Sequence, residues 1–127
     1  MLVAACAADA SVDLAVRAWD DRALATVDVV VCSARDRSDV IDRVTLGPAS
    51  ASTVRMPADG RAVAFAATTP DALCAASCQL ELDEGATVEA VLVLAPCLLC
   101  ARAEPTAENV CRDPLCFVAQ ESLSACE

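Results

Sequence analysis

The sequence predicts an all-β fold: an antiparallel β-sandwich of about six to eight short strands, with a disulfide-stapled, irregular C-terminal tail. Apolar and polar residues alternate with a period of two through several segments, which is typical of half-buried strands. Turn residues separate these segments at intervals of about 8–12 residues. The chain has 127 residues and nine cysteines, enough for one domain with a hydrophobic core and a covalent framework.

The first half of the chain predicts three strands, at residues 12–19, 24–32 and 40–46. The second of these is rich in valine, whose branched side chain suits a pleated surface. Its residues 27–31 form a long flat apolar stretch, which makes it a candidate for pairing between chains. Asp20 and Asp21 predict a polar turn, and residues 33–39 predict a charged loop.

A hairpin is predicted in the middle of the chain. Residues 50–56 and 61–68 both have strand character, and the sequence Pro-Ala-Asp-Gly at 57–60 joins them. Proline suits the corner of such a turn and Asp-Gly suits its exit. Val63 and Phe65 are expected to point into the core.

Residues 74–83 and 87–95 predict two further strands, of which the last is almost wholly apolar and is expected to lie centrally. The character of the chain changes after Pro96, because five of the nine cysteines follow it among prolines and polar residues. The predicted organisation is a signal-peptide remnant and tether at 1–10, a β-sandwich at 11–96 and a cysteine-rich tail at 97–127 packed on the sandwich.

The N-terminus resembles the end of a bacterial lipoprotein signal peptide. Val3, Ala4, Ala5 and Cys6 fill the four places of a lipobox, in which an aliphatic and two small residues precede the cysteine that becomes lipidated. The resemblance implies membrane attachment through a lipid on Cys6. A complete signal also has a charged region and an apolar stretch of about 7–15 residues. We therefore expect that part to be encoded upstream of Met1.

Setting Cys6 aside leaves an even number of cysteines, which fits four disulfides. Eight cysteines allow 105 connectivities, and the sequence does not choose among them. This density is typical of an oxidising compartment such as the periplasm or the cell surface. The predicted disulfide cysteines are Cys32, Cys74, Cys78, Cys97, Cys100, Cys111, Cys116 and Cys126.

From residue 12 to 96 the chain is similar to the immunoglobulin-like or transthyretin-like modules of bacterial surface lipoproteins. The turn at 57–60, the inward Val63 and Phe65 after it, and the final strand at 88–94 carry this similarity. It implies a sandwich that acts through its surface. The tyrosine corner and buried tryptophan of true immunoglobulin domains are missing, so the sequence leaves the subtype open.

Composition excludes several classes of function. The formal net charge is −10 and all nine cations are arginine, which makes the chain a poor ligand for nucleic acid. Without histidine there is no Ser-His or Cys-His catalytic pair, and without lysine there is no Schiff base and no phosphate-binding P-loop. We expect a non-enzymatic protein without cofactor or resident metal.

The sharpest alternative is chemistry at the tail cysteines. Cys97-x2-Cys100 with Cys111 and Cys116 has four thiols at a spacing that would suit a tetrahedral zinc. The Cys97-x2-Cys100 pair also has the spacing of a redox-active motif, but no βαβ pattern surrounds it and no lysine or histidine lies beside it. Paired disulfides are the favoured interpretation.

Two smaller predictions concern the surface. Trp19 is expected to pack beneath a loop or the C-terminal tail, with a ligand-anchoring role as the alternative. The arginines of the charged region are expected to neutralise neighbouring carboxylates. The residues concerned are Arg35, Arg37, Arg43, Asp36, Asp39 and Asp42.

The sequence thus predicts a secreted or envelope-anchored bacterial lipoprotein domain that acts as a binding, adhesion or assembly module for an unknown protein partner. Its expected location is the outer membrane, the periplasm or the cell surface. Candidate surfaces are the 33–39 loop and the cysteine-rich tail. One alternative is a structural zinc or thiol-redox protein. Another is a subunit of an extracellular polymer or fibre that pairs through residues 27–31.

Overall fold

The computed structural model describes residues 10–47, 51–56, 62–83 and 85–123. The strands are β1 (Ala10–Ala18), β2 (Val27–Ser33), β3 (Val40–Leu46), β4 (Ala51–Met56), β5 (Ala62–Thr68), β6 (Leu73–Ala76), β7 (Leu80–Glu81) and β8 (Thr87–Pro96). They are followed by α1 (Ala107–Arg112), α2 (Pro114–Phe117) and a 3₁₀ turn at Gln120–Ser122. The prediction of a fold made mostly of strands is confirmed.

The strands form one curled sheet in the order β3-β2-β5-β6-β8-β1-β4, and β7 pairs with β5 beside this path. β1 and β8 run parallel, from Ser11 opposite Thr87 to Ala18 opposite Leu94. The other described pairs are antiparallel. The sheet is therefore mixed, whereas the sequence predicted antiparallel pairing throughout. Alternation of apolar residues reports which side chains are buried, but it carries no information on strand direction.

One apolar core collects side chains from β1 and β8 and from β2 and β5. Along β1 every second side chain is buried, including Val12 and Leu14, and the residues between them face outward. Val29 of β2 is fully buried in the same cluster, as are Val63 and Phe65 of β5. Val63 and Phe65 therefore point inward, as predicted.

β2 and β5 are buried on both faces. Val30 of β2 and the small residues Ala64 and Ala66 of β5 belong to a second apolar cluster. The helices complete this cluster with Val110 and Phe117. Alanine side chains on the sheet let α1 approach the strand backbone closely, so the C-terminal segment becomes part of the hydrophobic interior.

The predicted hairpin of residues 50–56 and 61–68 is wrong. Both strands exist, but β4 pairs with β1 at one edge of the sheet, and β5 lies between β2 and β6. The connecting turn at 57–60 lies outside the described residues. A turn sequence favours a change of direction, but the strand that follows is free to pair with whichever neighbour buries its apolar face.

The single strand predicted at residues 74–83 is divided into β6 and β7. Ala76 lies opposite Ala66, and Leu80 lies opposite Val63, so this side of the ladder contains one extra residue. The buried Ser77 lies at this β-bulge, where its Oγ accepts a hydrogen bond of 2.8 Å from the backbone N–H of Phe65.

The C-terminal tail is more regular than predicted, because helical turns replace the expected irregular chain. Thr106 caps α1 by accepting a hydrogen bond from the backbone N–H of Asn109 at 3.2 Å. Glu108 in the first turn and Arg112 in the last turn complement the helix dipole. Pro114 opens α2, a position that suits proline.

Phe65→Ala should lower the free energy of unfolding by about 3–5 kcal/mol, because the substitution leaves a cavity in a fully buried site. The matched control is Leu99→Ala, since Leu99 is fully exposed and should change stability by less than about 0.5 kcal/mol. Urea denaturation of the oxidised protein, followed by circular dichroism, measures both variants. Equal effects would contradict the assignment of Phe65 to the core.

Candidate functional site

Six of the predicted cysteines form three disulfides within the described residues. Their Cα–Cα separations are 6.3, 4.9 and 5.3 Å, within the range of protein disulfides. The pairs are Cys32–Cys111, Cys74–Cys97 and Cys100–Cys116. The prediction of a disulfide framework is confirmed for these residues.

Cys78 is also disulfide-bonded. The remaining two cysteines, Cys6 and Cys126, lie outside the described residues. The predicted lipidation site at Cys6 and the predicted disulfide role of Cys126 therefore stay predictions.

The structure does not bring the four tail cysteines together as one ligand set. Cys97 bonds to Cys74 on β6, Cys111 bonds to a cysteine on β2, and Cys100 bonds to Cys116. A sulfur in a disulfide is not a thiolate, and the thiolate is the form that binds zinc or attacks a disulfide. In the described part of the chain, no cluster of three or more cysteine or carboxylate side chains has the arrangement of a metal site.

Each disulfide fastens the tail at a different point. Cys32 and Cys111 are both fully buried, and their bond joins β2 to α1. The Cys74–Cys97 bond joins β6 to the residue that follows β8. The bond between Cys100 and Cys116 closes the tail on itself, just before α2 ends.

An exposed apolar dipeptide lies between two of these bonds. Leu98 and Leu99 stand between Cys97 and Cys100, whose disulfide partners lie in different parts of the chain. Leu99 is fully exposed and Leu98 is about half exposed. The backbone N–H of Leu98 donates a 2.8 Å hydrogen bond to the carbonyl of Phe117. We call residues 97–100 the leucine knuckle.

The arginines of the charged region contact the tail as well as the sheet. Arg43 on β3 pairs with Asp28 of β2 at 2.9 Å and also with Glu108 of α1. Arg37, in the loop after β2, donates a 3.2 Å hydrogen bond to the carbonyl of Cys111. Arg43 therefore neutralises surface carboxylates, as predicted, but its partners are Asp28 and Glu108 instead of the predicted neighbours. The sequence pattern could not show that α1 would lie beside this strand.

Carboxylates at the turns and at α1 have altered acidity. The backbone N–H of Glu108 and then the Arg43 guanidinium lower the pKa of the Glu108 carboxyl. Hydrogen bonds from Ser38 lower the pKa of Asp36. A hydrogen bond from Arg22 lowers the pKa of Asp20 in the turn after β1. Asp20 and Arg22 also form an ion pair of 2.7 Å. These groups are ionised partners in local contacts at neutral pH.

A groove of about 580 Å³ lies on the outward face of β1 and β8. Its lining residues are Arg17, Trp19, Val91, Val93, Ala95, Glu121, Ser122 and Leu123. Trp19 is 55% exposed, so the prediction that it packs beneath a loop or the tail is wrong. The period-two pattern of β1 already places residue 19 on the outward face, but the pattern gives no sign that residues 121–123 form a wall beside it.

A scan against protein-family models finds no match to this chain, and a search of the curated proteins finds none either. In the part of the chain that the structure describes, no helix has the length and apolar character needed to cross a bilayer.

Arg43→Met should raise the pKa of Glu108 towards its ordinary value, because the guanidinium no longer stabilises the carboxylate. The lowered pKa means that this contact stabilises the fold above the carboxyl's unfolded pKa of about 4.5, and the contribution is lost as pH falls through the folded pKa. Since both side chains are more than a third exposed, the loss at pH 7 should be at most about 1 kcal/mol.

Urea denaturation at pH 7 and pH 3 measures this effect, with Arg35→Met in the exposed loop as the control. The wild type should exceed Arg43→Met in stability at pH 7, and the difference should shrink at pH 3. A difference that grows at pH 3 would contradict the role of the Glu108 carboxylate.

Proposed function

We propose that this chain is a non-enzymatic, disulfide-stabilised domain of a bacterial cell envelope that acts as a binding, adhesion or assembly module. The observation that carries the proposal is the leucine knuckle, an exposed apolar dipeptide between two disulfide-bonded cysteines. The proposed location is the periplasm or cell surface, with attachment to the outer membrane through a lipid on Cys6.

The disulfides support a location outside the cytosol. Seven of the described cysteines are disulfide-bonded. Structural disulfides form and persist in oxidising compartments, and cytosolic thiols are kept reduced. Two of the disulfides join the tail to β2 and β6, so the folded state itself depends on this chemistry.

The leucine knuckle suits recognition of a protein partner. Exposing a leucine side chain in water forgoes the favourable free energy of its burial, so burial of Leu99 in a partner's apolar pocket would favour association. Because Cys97 and Cys100 are both anchored, little conformational entropy is left to lose when Leu99 enters a partner's apolar pocket. Leu115 on α2 is also about half exposed and adds apolar surface to the tail.

Within this proposal the curled sheet is a β-sandwich of the transthyretin-like kind. Side chains of β1, β4 and β8 meet those of β2, β5 and β6 in one apolar cluster, which supports two facing sheets. In the immunoglobulin arrangement the third strand lies in a sheet with the last two strands. Here β3 pairs with β2, which favours the transthyretin-like alternative.

Parity of the cysteines supports the anchor. The three disulfides described above use six cysteines, and Cys78 is bonded to a further cysteine. Assigning Cys126 to Cys78 completes four disulfides and leaves Cys6 as the unpaired thiol that a lipobox needs. β1 begins at Ala10, so residues 7–9 would form a short tether between the lipid and the sheet.

Two alternatives remain as competing proposals. A zinc or thiol-redox role of the tail cysteines requires them to be reduced. Their disulfide bonds in the structure instead favour a structural role. For a polymer or fibre subunit, residues 27–31 are an unsuitable pairing strand, because β2 has β3 on one side and β5 on the other. Pairing between chains would instead use the edge strands β3 or β4.

The lipid anchor on Cys6 can be tested by expressing the gene in a bacterial host. The expressed DNA includes the sequence that precedes Met1 in the gene. The wild type should enter the detergent phase of a Triton X-114 extract and carry acyl chains on Cys6, because multiple acylation holds a protein at a membrane. Cys6→Ser should stay in the aqueous phase. The matched control, Cys126→Ser, should keep the lipid and expose Cys78 to alkylation.

Peptide mapping of the same samples without reduction can detect the result that would contradict the lipid anchor. A cross-linked peptide that joins Cys6 to Cys78, or a Cys6 thiol that alkylates in the mature wild-type protein, would contradict the lipid anchor.

A further inference from the structure

The geometry points to a saccharide-binding site: we propose that the groove beside Trp19 binds a neutral pyranose sugar by stacking one apolar ring face on the indole. The groove is separate from the leucine knuckle and lies on the outward face of β1 and β8. The inference goes beyond the role proposed above, because it concerns a second site and a different class of ligand.

The floor of the groove is apolar and fixed. Val91, Val93 and Ala95 alternate along β8 with the buried residues of the same strand, so they line up on its outward face. Val91 is 44% exposed and Trp19 is 55% exposed, which leaves two large apolar side chains uncovered in the groove. The groove's volume of about 580 Å³ is within the range of small-molecule sites.

Trp19 is held in place by its backbone. Its N–H donates a 2.8 Å hydrogen bond to the carbonyl of Leu94 on β8. The turn that follows is closed by a hydrogen bond of 3.1 Å from the Asp21 N–H to the Ala18 carbonyl, and Asp21 adopts a left-handed conformation with φ of 59°. These bonds fix the backbone at Trp19, so only the two side-chain torsions of the indole are left to be restricted when a ligand binds.

The charges in the groove favour a ligand that is polar and uncharged. Arg17 and Glu121 both line it, so one cation and one anion face the same ligand. Among the described residues, no ion pair or side-chain hydrogen bond engages either group, and both are available to a ligand. Ser122 adds a hydroxyl. A pyranose has apolar C–H groups on a ring face and hydroxyls at its rim, which matches an apolar floor with polar ends.

The groove residues of β1 and β8 lie on the outward face of two strands that pair with each other, from Ser11 opposite Thr87 to Ala18 opposite Leu94. A ligand on this face is held by side chains, whereas strand addition would need a backbone edge.

Titration of the oxidised, unlipidated chain with neutral trisaccharides tests the proposal. Trp19 is the single tryptophan of the sequence, so its fluorescence reports this groove directly. Maltotriose, cellotriose and N,N′,N″-triacetylchitotriose are the probes, and at least one should give a saturable blue shift of the emission at concentrations below about 50 mM. Calorimetry should then show that Trp19→Ala weakens binding by about tenfold or more.

Matched variants separate the polar contacts from general effects. Arg17→Met and Glu121→Gln should each weaken binding by about tenfold, because each removes hydrogen bonds between a charged group and a hydroxyl. Arg35→Met, in the exposed loop after β2 and outside the groove, should leave the affinity unchanged. Circular dichroism checks that each variant is folded.

The proposal is overturned if none of the three trisaccharides gives a saturable response, or if Trp19→Ala binds as the wild type does. It is also overturned if the groove binds an apolar peptide or a detergent but no sugar, since that result identifies an apolar partner. The sugar assay uses a chain without a lipid on Cys6. A negative result in this assay therefore does not contradict the proposed envelope role, and absence of the lipid anchor does not contradict the sugar site.

Discussion

The buried disulfide between Cys32 and Cys111 is the constraint on which the C-terminal half of the molecule depends. β2 and β5 carry apolar side chains on both faces. The face that points away from the main core is stable only if another element buries it, and the helices of the tail do so. α1 has six residues and is too short to be stable by itself. Its bond to β2 closes a loop with a sequence separation of 79 residues. The chain-entropy model assigns a loop of that length about 4.5 kcal/mol of stability.

Both proposed binding surfaces rely on this attachment. The leucine knuckle leaves the sheet at Cys97 and returns to α2 through the bond of Cys100 to Cys116. The wall of the groove at residues 121–123 is placed by the same tail. Arg43 adds a polar contact between β3 and α1. The tail is thus a covalently attached outer layer that supplies exposed apolar side chains. An unattached tail would lose more conformational entropy on binding a partner.

Much of the strand structure can be predicted from the sequence, because it depends on local alternation of apolar residues. β3 occupies the predicted residues Val40–Leu46, and β8 ends one residue later than predicted. Pairing partners cannot be predicted in this way. A strong turn signal at 57–60 follows β4, yet its partner is β1, about forty residues earlier in the chain. The parallel pair of β1 and β8 joins the first and last strands, which no local pattern records.

In the candidate sites, too, some features can be predicted from the local sequence and others depend on the fold. Cysteine count predicts a disulfide framework, but connectivity depends on which sulfurs the fold brings together, as with Cys32 and Cys111. The outward position of Trp19 follows from the alternation in β1, and its exposure depends on where residues 121–123 pass. Short helices such as α2 are missed because four residues carry too little periodic signal.

Disulfide mapping of the native protein tests most directly whether a covalently attached tail forms part of the core. Free thiols are alkylated first, the chain is digested without reduction, cross-linked peptides are identified by mass spectrometry, and bound zinc is assayed. Peptides that join Cys32 to Cys111, Cys74 to Cys97 and Cys100 to Cys116 are the predicted result. Alkylation of Cys97, Cys100, Cys111 and Cys116 together with stoichiometric zinc would contradict it, and the tail would then be a metal-binding segment.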